Sequence, residues 1–188
     1  MVCGGAPLGM LGKKFWNLGV RIYEGYGMTE CSPVISTNFL ENNKFGSVGK
    51  PLKGVKIKMQ QGKIYVKTPG LMKGYTKKEL TKEKIKNNWL DTGDLGFIDK
   101  DGFLFIKGRA DDCIVMSNGE KTFPEPIEKF ITGIKNVEQS FVYGNNKPYI
   151  IALIYLKNKE KISKKIEEIN KQLSKHEQIK KFVIIKEP

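Results

Sequence analysis

Apolar residues return at helical spacing between positions 8 and 18, where Leu8, Leu11, Phe15 and Leu18 share one face and Gly19 offers a stop. Ahead of it, Val2-Cys3-Gly4-Gly5-Ala6-Pro7 reads as a short strand entering a Gly-Gly turn, and residues 20–23 read as a second strand. Strand, helix and strand predict a β-α-β unit over about residues 1–43, with one crevice at the carboxyl ends of its strands. From about residue 44 the period changes to two. Val55, Ile57 and Met59, then Ile64 and Val66, alternate with polar neighbours between Gly and Pro corners. Gln60-Gln61-Gly62 and Asp99-Lys100-Asp101-Gly102 read as hairpin loops. The pattern predicts a small antiparallel β-barrel subdomain over about residues 44–109, interrupted by a lysine-rich surface helix and loop over 76–87.

A polar joint, Ala110-Asp111-Asp112, separates this from a different texture. A strand at 113–116, a Ser117-Asn118-Gly119-Glu120 turn and a helix at 125–131 entered after Pro124 come first. Strands at 137–143 and 149–156, an amphipathic helix at 159–175 (Ile162, Ile166, Ile169, Leu173) and a strand at 182–185 complete a small α+β domain, residues 110–188. The expected class is therefore α/β and α+β: the end of a large domain over residues 1–109, then a small C-terminal one.

Composition narrows the function. A hydrophobic content of 39% describes a globular chain, and no apolar run reaches the ~20 residues that span a bilayer. Cys3, Cys31 and Cys113 lack metal-ligand spacing and read as buried thiols of a reducing cytosol; His176, the single histidine, reads as a solvated residue of a charged helix. Histidine catalysis is thereby disfavoured. The formal charge is +13, but the lysines are dispersed and partly balanced by Glu160, Glu167 and Glu168. A basic module for nucleic acid or anionic membrane would instead show a contiguous cationic face.

The densest chemistry lies in Tyr23-Glu24-Gly25-Tyr26-Gly27-Met28-Thr29-Glu30. A ring offers a flat face to a base, glycines let backbone approach a ligand, a Thr hydroxyl can donate to phosphate, and a carboxylate suits Mg²⁺. A glycine-rich turn between core elements accounts for the same residues. Asp94, after a glycine at a turn, and Arg109, at the exit of the hairpin, could clamp a ribose diol; alone, each also reads as a turn cap or a surface ion pair.

Taken in order, Tyr26-Gly27-Met28-Thr29-Glu30, Thr92-Gly93-Asp94, Gly108-Arg109-Ala110-Asp111-Asp112, and Gly119-Glu120-Lys121 leading to Pro124-Glu125-Pro126-Ile127-Glu128 resemble the motifs of the adenylate-forming superfamily, with Gly4-Gly5-Ala6-Pro7 as a fifth. This superfamily comprises acyl-CoA synthetases, insect luciferases and peptide-synthetase adenylation domains. The Tyr23-Glu24-Gly25-Tyr26-Gly27 form and the Ser117–Glu120 turn look most like long-chain fatty acyl-CoA ligases.

The resemblance implies that a carboxylic acid attacks the α-phosphate of ATP with Mg²⁺ as cofactor, and that CoA then displaces AMP. It implies that Gly5, Ala6 and Pro7 line the adenine pocket, Tyr26 and Gly27 meet the base, and Thr29 binds the α-phosphate. Glu30 would hold Mg²⁺, Asp94 and Arg109 the ribose, and Gly119 and Lys121 CoA, with Asp111 the hinge of a mobile domain. In the family, a phosphate-gripping Ser/Thr/Gly-rich loop lies upstream of Met1 and a catalytic lysine lies beyond Pro188. The chain is accordingly expected to be the C-terminal part of a ligase, binding ATP weakly and inactive alone. The implied partners are ATP, a fatty acid and CoA in the cytoplasm, with peripheral membrane contact compatible and no nucleic acid. An acyl-AMP ligase or adenylation domain that loads a carrier protein is the alternative.

Overall fold

The computed structural model describes residues 2, 3, 8, 10–158 and 161–185. The chain divides into two compact units, Met1–Ala110 and Asp111–Pro188, and its class is mixed α/β, dominated by antiparallel sheets. Among the described residues no helix is long and apolar enough to cross a membrane.

In the first unit, strand β1 (Val2–Cys3), helix α1 (Met10–Asn17) and strand β2 (Tyr23–Gly27) form a β-α-β unit, with β1 and β2 parallel. The expected strand at 20–23 is displaced: β2 begins at Tyr23 and carries the aromatic-glycine motif itself. Trp16 explains the delay. Its indole Nε1 donates to the Ile22 carbonyl at 2.8 Å, and its ring lies under the Arg21 guanidinium, so the intervening segment is held as a loop over α1. Strands β3 (Val34–Thr37) and β4 (Lys50–Pro51) extend the sheet antiparallel.

The second sheet holds β5 (Lys56–Gln60) and β6 (Lys63–Lys67), then, after helix α2 (Lys78–Lys84), β7 (Ile85–Lys86), β8 (Trp89–Ile98) and β9 (Leu104–Arg109). Period-two alternation puts Ile64 and Val66 of β6 and Leu90 of β8 inside, where they meet Cys31, Ile35 and Leu104. The β8–β9 hairpin is locked by its own loop: Asp99 Oδ1 accepts from the backbone N–H of Asp101 (3.0 Å) and Phe103 (2.9 Å).

The second unit opens with the two-stranded pair β10 (Ile114–Val115) and β11 (Lys121–Thr122). Helix α3 (Pro124–Thr132) starts on a proline, which loses nothing there because the first N–H groups have no intrahelical partner. Strands β12 (Val137–Tyr143), β13 (Ile150–Leu156) and β14 (Ile179–Ile185) form one sheet in that order, antiparallel then parallel. Helix α4 (Ser163–Asn170) lies between β13 and β14 in the chain. Ile127 and Ile131 of α3, Ile166 and Ile169 of α4, and Ile150, Ala152 and Ile154 of β13 close the core.

The helix expected over 159–175 stops at Asn170. The Asn170 amide both donates to the Ile179 carbonyl (2.9 Å) and accepts from the Ile179 N–H (2.8 Å). That side chain ties the helix end to the start of β14, five residues earlier than the apolar pattern suggested. His176 therefore lies in a turn, its Nδ1 at 3.8 Å from Glu120, and not in a helix. Cys31 is buried as expected, whereas Cys113 is only partly so.

Candidate functional site

In the first unit the motif residues are delivered by the end of β2. Gly27 is where β2 meets the turn back to β3, and an added Cβ would lie 2.0 Å from the Pro33 carbonyl oxygen, so only glycine fits that approach. The chain then makes one tight 3-10 turn, Thr29–Cys31, closed by Ser32 in the left-handed region at φ 57°. Thr29 is left exposed on it and Glu30 half-buried.

Asp94 and Arg109 come together from the second sheet. They are direct cross-strand partners in β8 and β9, and Asp94 stands within a strand where the sequence suggested a turn. The turn-like signal came from Gly93, which takes φ +75° inside β8; a Cβ there would sit 2.7 Å from the Arg109 guanidinium. Arg109 Nη1 donates to the Thr92 carbonyl at 2.9 Å and to Asp94 Oδ1 at 3.1 Å.

Tyr26 joins this pair across the two sheets. Its hydroxyl donates to Asp94 Oδ2, and its ring packs against the apolar cluster. Burial, then the bond to Asp94, pushes the Tyr26 phenol far above the ordinary range, so it stays a donor. Asp94 is 9% exposed. Two bonds use only part of the roughly four lone-pair positions of a carboxylate, so Asp94 keeps the capacity to accept from vicinal hydroxyls.

The Thr29–Cys31 turn is gripped by the segment after β6. The Met72 N–H donates to the Glu30 carbonyl (2.9 Å), Ser32 Oγ donates to the Gly70 carbonyl (2.8 Å), and the Tyr75 hydroxyl donates to Glu30 Oε1 (2.9 Å). Burial, then that hydrogen bond, pushes the Tyr75 phenol up to about 12. Burial, then the Glu30 charge, pushes the Cys31 thiol up to about 11, so it is an unreactive neutral thiol. Sequence reasoning missed Tyr75, whose flag was only a Gly-Tyr pair in a loop.

Among the described residues no cluster of His, Cys, Asp and Glu could hold a metal by itself. Mg²⁺ does not need one, since it is commonly held by one or two carboxylates together with substrate phosphates and water. A single oriented carboxylate such as Glu30 fits that mode. A cavity of about 650 Å³ in this unit is lined by Lys56, Lys67, Lys73 and Lys82 together with Leu71, Met72 and Thr81, so it adjoins the segment that grips the Glu30 turn.

In the second unit Gly119 takes φ +83° in the turn between β10 and β11, which the Asn118 side chain closes by accepting from the Glu120 N–H at 3.1 Å. Lys121, first residue of β11, is exposed, as is Asp111 at the start of the unit. A cavity of about 350 Å³ adjoins that turn, lined by Met116, Asn118, Glu120, Tyr149 and His176 among others. Gly5, Ala6 and Pro7 lie outside the described residues.

Two family models match the chain: AMP-binding enzyme over residues 1–76 and AMP-binding enzyme C-terminal domain over residues 111–188. A long-chain-fatty-acid–CoA ligase of Mycobacterium bovis is 38% identical over 156 residues, covering 81% of this chain and 26% of that protein. A 2-succinylbenzoate–CoA ligase of Oceanobacillus iheyensis is 39% identical over 137 residues, covering 67% of this chain and 28% of that one. The structure of O-succinylbenzoate coenzyme A synthetase from Bacillus subtilis, in complex with ATP and magnesium ion, superposes with a TM-score of 0.87 at 30% identity, covering 98% of this chain and 42% of that chain. The chain thus spans about a quarter of the length of these curated relatives. With both family models matched in order and this fold shared along nearly its whole length, the chain belongs to the AMP-binding, adenylate-forming enzymes.

Proposed function

We propose that this chain supplies the nucleotide-holding and thiol-approach elements of an ATP-dependent acid–thiol ligase that activates a fatty acid and passes it to CoA. The observation that carries the reading is the shielded carboxylate of Asp94, set between the Tyr26 hydroxyl and the Arg109 guanidinium. Strands β2, β8 and β9 meet at this one acceptor, which suits a ribose diol because about two lone-pair positions stay open.

In the first half-reaction the acid's carboxylate oxygen bonds to the α-phosphorus of ATP, and the bond to pyrophosphate breaks. In the second, the CoA sulfur bonds to the acyl carbon and AMP leaves. Phosphoryl and acyl transfers of this kind depend on positioning and charge stabilisation. Asp94 and Arg109 would fix the ribose, Tyr26 and Gly27 would flank the base with Gly5-Ala6-Pro7, and the Thr29 hydroxyl would donate to an α-phosphate oxygen. Glu30 would hold Mg²⁺, whose contribution is to neutralise phosphate charge. Gly119 and Lys121 would meet CoA, with Asp111 the pivot of a mobile C-terminal domain. A cytoplasmic enzyme with peripheral membrane contact suits a fatty-acid substrate.

The likeness to a long-chain ligase supports the fatty acid. An aryl acid is the second reading, favoured by the equal likeness to succinylbenzoate ligases. Transfer to a carrier protein is supported by 33% identity with a long-chain-fatty-acid–[acyl-carrier-protein] ligase of Arabidopsis thaliana, which covers 93% of this chain. The complete gene product, given ATP and Mg²⁺, is offered palmitate or 2-succinylbenzoate with CoA or a phosphopantetheinylated carrier. Palmitoyl-CoA with stoichiometric pyrophosphate and AMP is the expected product. Aryl or carrier thioester would redirect the substrate assignment, and no acid-dependent pyrophosphate with any pair would end the ligase reading.

A further inference from the structure

The loop that follows β6 is shaped around the Glu30 turn at one end and around α2 at the other. At its near end it is bonded through Gly70 and Met72, and a Cβ on Gly70 would come within 2.9 Å of the Cys31 carbonyl oxygen. At its far end the Tyr75 N–H donates to Thr81 Oγ1 at 2.8 Å. Gly74, at φ +152°, lies so close that a Cβ would be 2.9 Å from the same hydroxyl. Tyr75 is thus held by its backbone on α2 while its phenol reaches Glu30 Oε1 at 2.9 Å.

We propose that Tyr75 is a positioning residue that orients the Glu30 carboxylate for the cation accompanying ATP, through a loop braced by Thr81. The inference rests on the reading of Glu30 as the Mg²⁺ ligand. A carboxylate on a one-turn helix rotates freely unless a partner fixes one oxygen. Tyr75 fixes Oε1, which would direct Oε2 to the metal and spare the site that ordering at the moment of binding. Outer partners of this kind typically change metal affinity about 10–100-fold when removed.

The test uses the complete gene product and the variants Tyr75→Phe, Glu30→Gln and Thr81→Val. Mn²⁺ binding in the presence of saturating ATP is followed by electron paramagnetic resonance, and pyrophosphate release is measured against free Mg²⁺. Tyr75→Phe keeps the ring and the Thr81 contact and removes only the donor. It is expected to weaken Mn²⁺ binding about tenfold and to raise half-saturating Mg²⁺ to match, with kcat at saturating Mg²⁺ and the thermal midpoint nearly unchanged. Thr81→Val should give a smaller change of the same kind. If Glu30→Gln weakens Mn²⁺ binding and Tyr75→Phe does not, the positioning role is wrong and the metal reading survives. If Glu30→Gln itself leaves Mn²⁺ affinity unchanged, the metal reading falls, and this inference with it.

Discussion

The two units treat polarity in their interiors in opposite ways. In the first, Ser36, Thr37, Asn38, Ser47, Thr92 and Asp94 are buried beside a modest apolar cluster. In the second, the interior is almost wholly aliphatic, dominated by isoleucines of α3, α4 and β13, and Gly119 and Lys121 sit outside it on an exposed turn and strand edge. Donors and acceptors aimed at a polar ligand work best when fixed before it arrives, and fixing them requires a buried, satisfied hydrogen-bond network. A surface that is only approached by a ligand can carry its contacts on turns over an ordinary apolar core. The difference supports the proposal that the first unit is the one that holds the nucleotide.

The largest effect that separates the units is a cavity in the second. Ile154, in the central strand β13, is fully buried, and Ile154→Ala is expected to cost about 4 kcal/mol. Amide exchange under native conditions, read strand by strand, should show the loss in β12–β14 and leave β8 protected. Next comes Asn38, 1% exposed, whose side chain donates to the carbonyls of Glu24 (3.2 Å) and Ser47 (2.8 Å) and accepts from the Lys44 N–H (3.0 Å). Asn38→Ala strands those buried groups and should cost about 3 kcal/mol in the first unit. An apolar-core view of that unit predicts a mild effect, and a loss below about 1 kcal/mol in urea unfolding would support that view instead.

That contrast also decides what could be read from the chain beforehand. Ile64 and Val66, Ile127 and Ile131, and the Asp99–Gly102 loop were legible because each is a local pattern whose period or turn chemistry has one structural outcome. Strand β3 escaped notice because Ser36 and Thr37 look like loop residues. They are buried only because Ser36 Oγ donates to the Val48 carbonyl (2.9 Å) and the neighbouring Asn38 binds across to Ser47, partners set by tertiary contact. Asp94 and Arg109 were legible as types and spacing, but the bond from Tyr26 to Asp94 is not, since it spans 68 positions. Tyr75 was hidden for the same reason, 45 positions from Glu30.

A smaller effect tests which unit holds the nucleotide. Asp94→Asn keeps the volume and removes the charge, and should weaken AMP binding by the complete gene product about 30-fold, near 2 kcal/mol, with its fold unchanged. Lys121→Ala should leave AMP affinity alone and raise the KM for CoA. Isothermal titration with AMP and thioester formation against CoA read the two effects separately. Equal losses of AMP affinity in both variants would erase the division of labour.

The smallest effect is one of sign. Glu128 of α3 is pushed above the ordinary carboxylate range, first by burial, although the Val142 N–H bonds it at 2.8 Å. A raised value in the fold favours the protonated form there. Its contribution to stability is therefore complete below the unfolded value of about 4.3 and is lost as pH rises through the folded one. Asp99 in the first unit is held below its usual range, first by the hydrogen bond from Lys44. Its contribution is present above about 3.9 and is lost as pH falls through the depressed value. Acidification from neutrality toward pH ~4.3 should thus slightly stabilise the second unit by relieving the desolvation of Glu128 and leave the β8–β9 hairpin unmoved, and further acidification should loosen the hairpin. Both groups are solvent-accessible, so the changes are small and shrink with salt. Exchange of the Val142 and Phe103 amides, corrected for intrinsic rates, reports each. Glu128→Gln should flatten the first slope and Asp99→Asn the second, and slopes of the same sign at the two amides would refute the assignment.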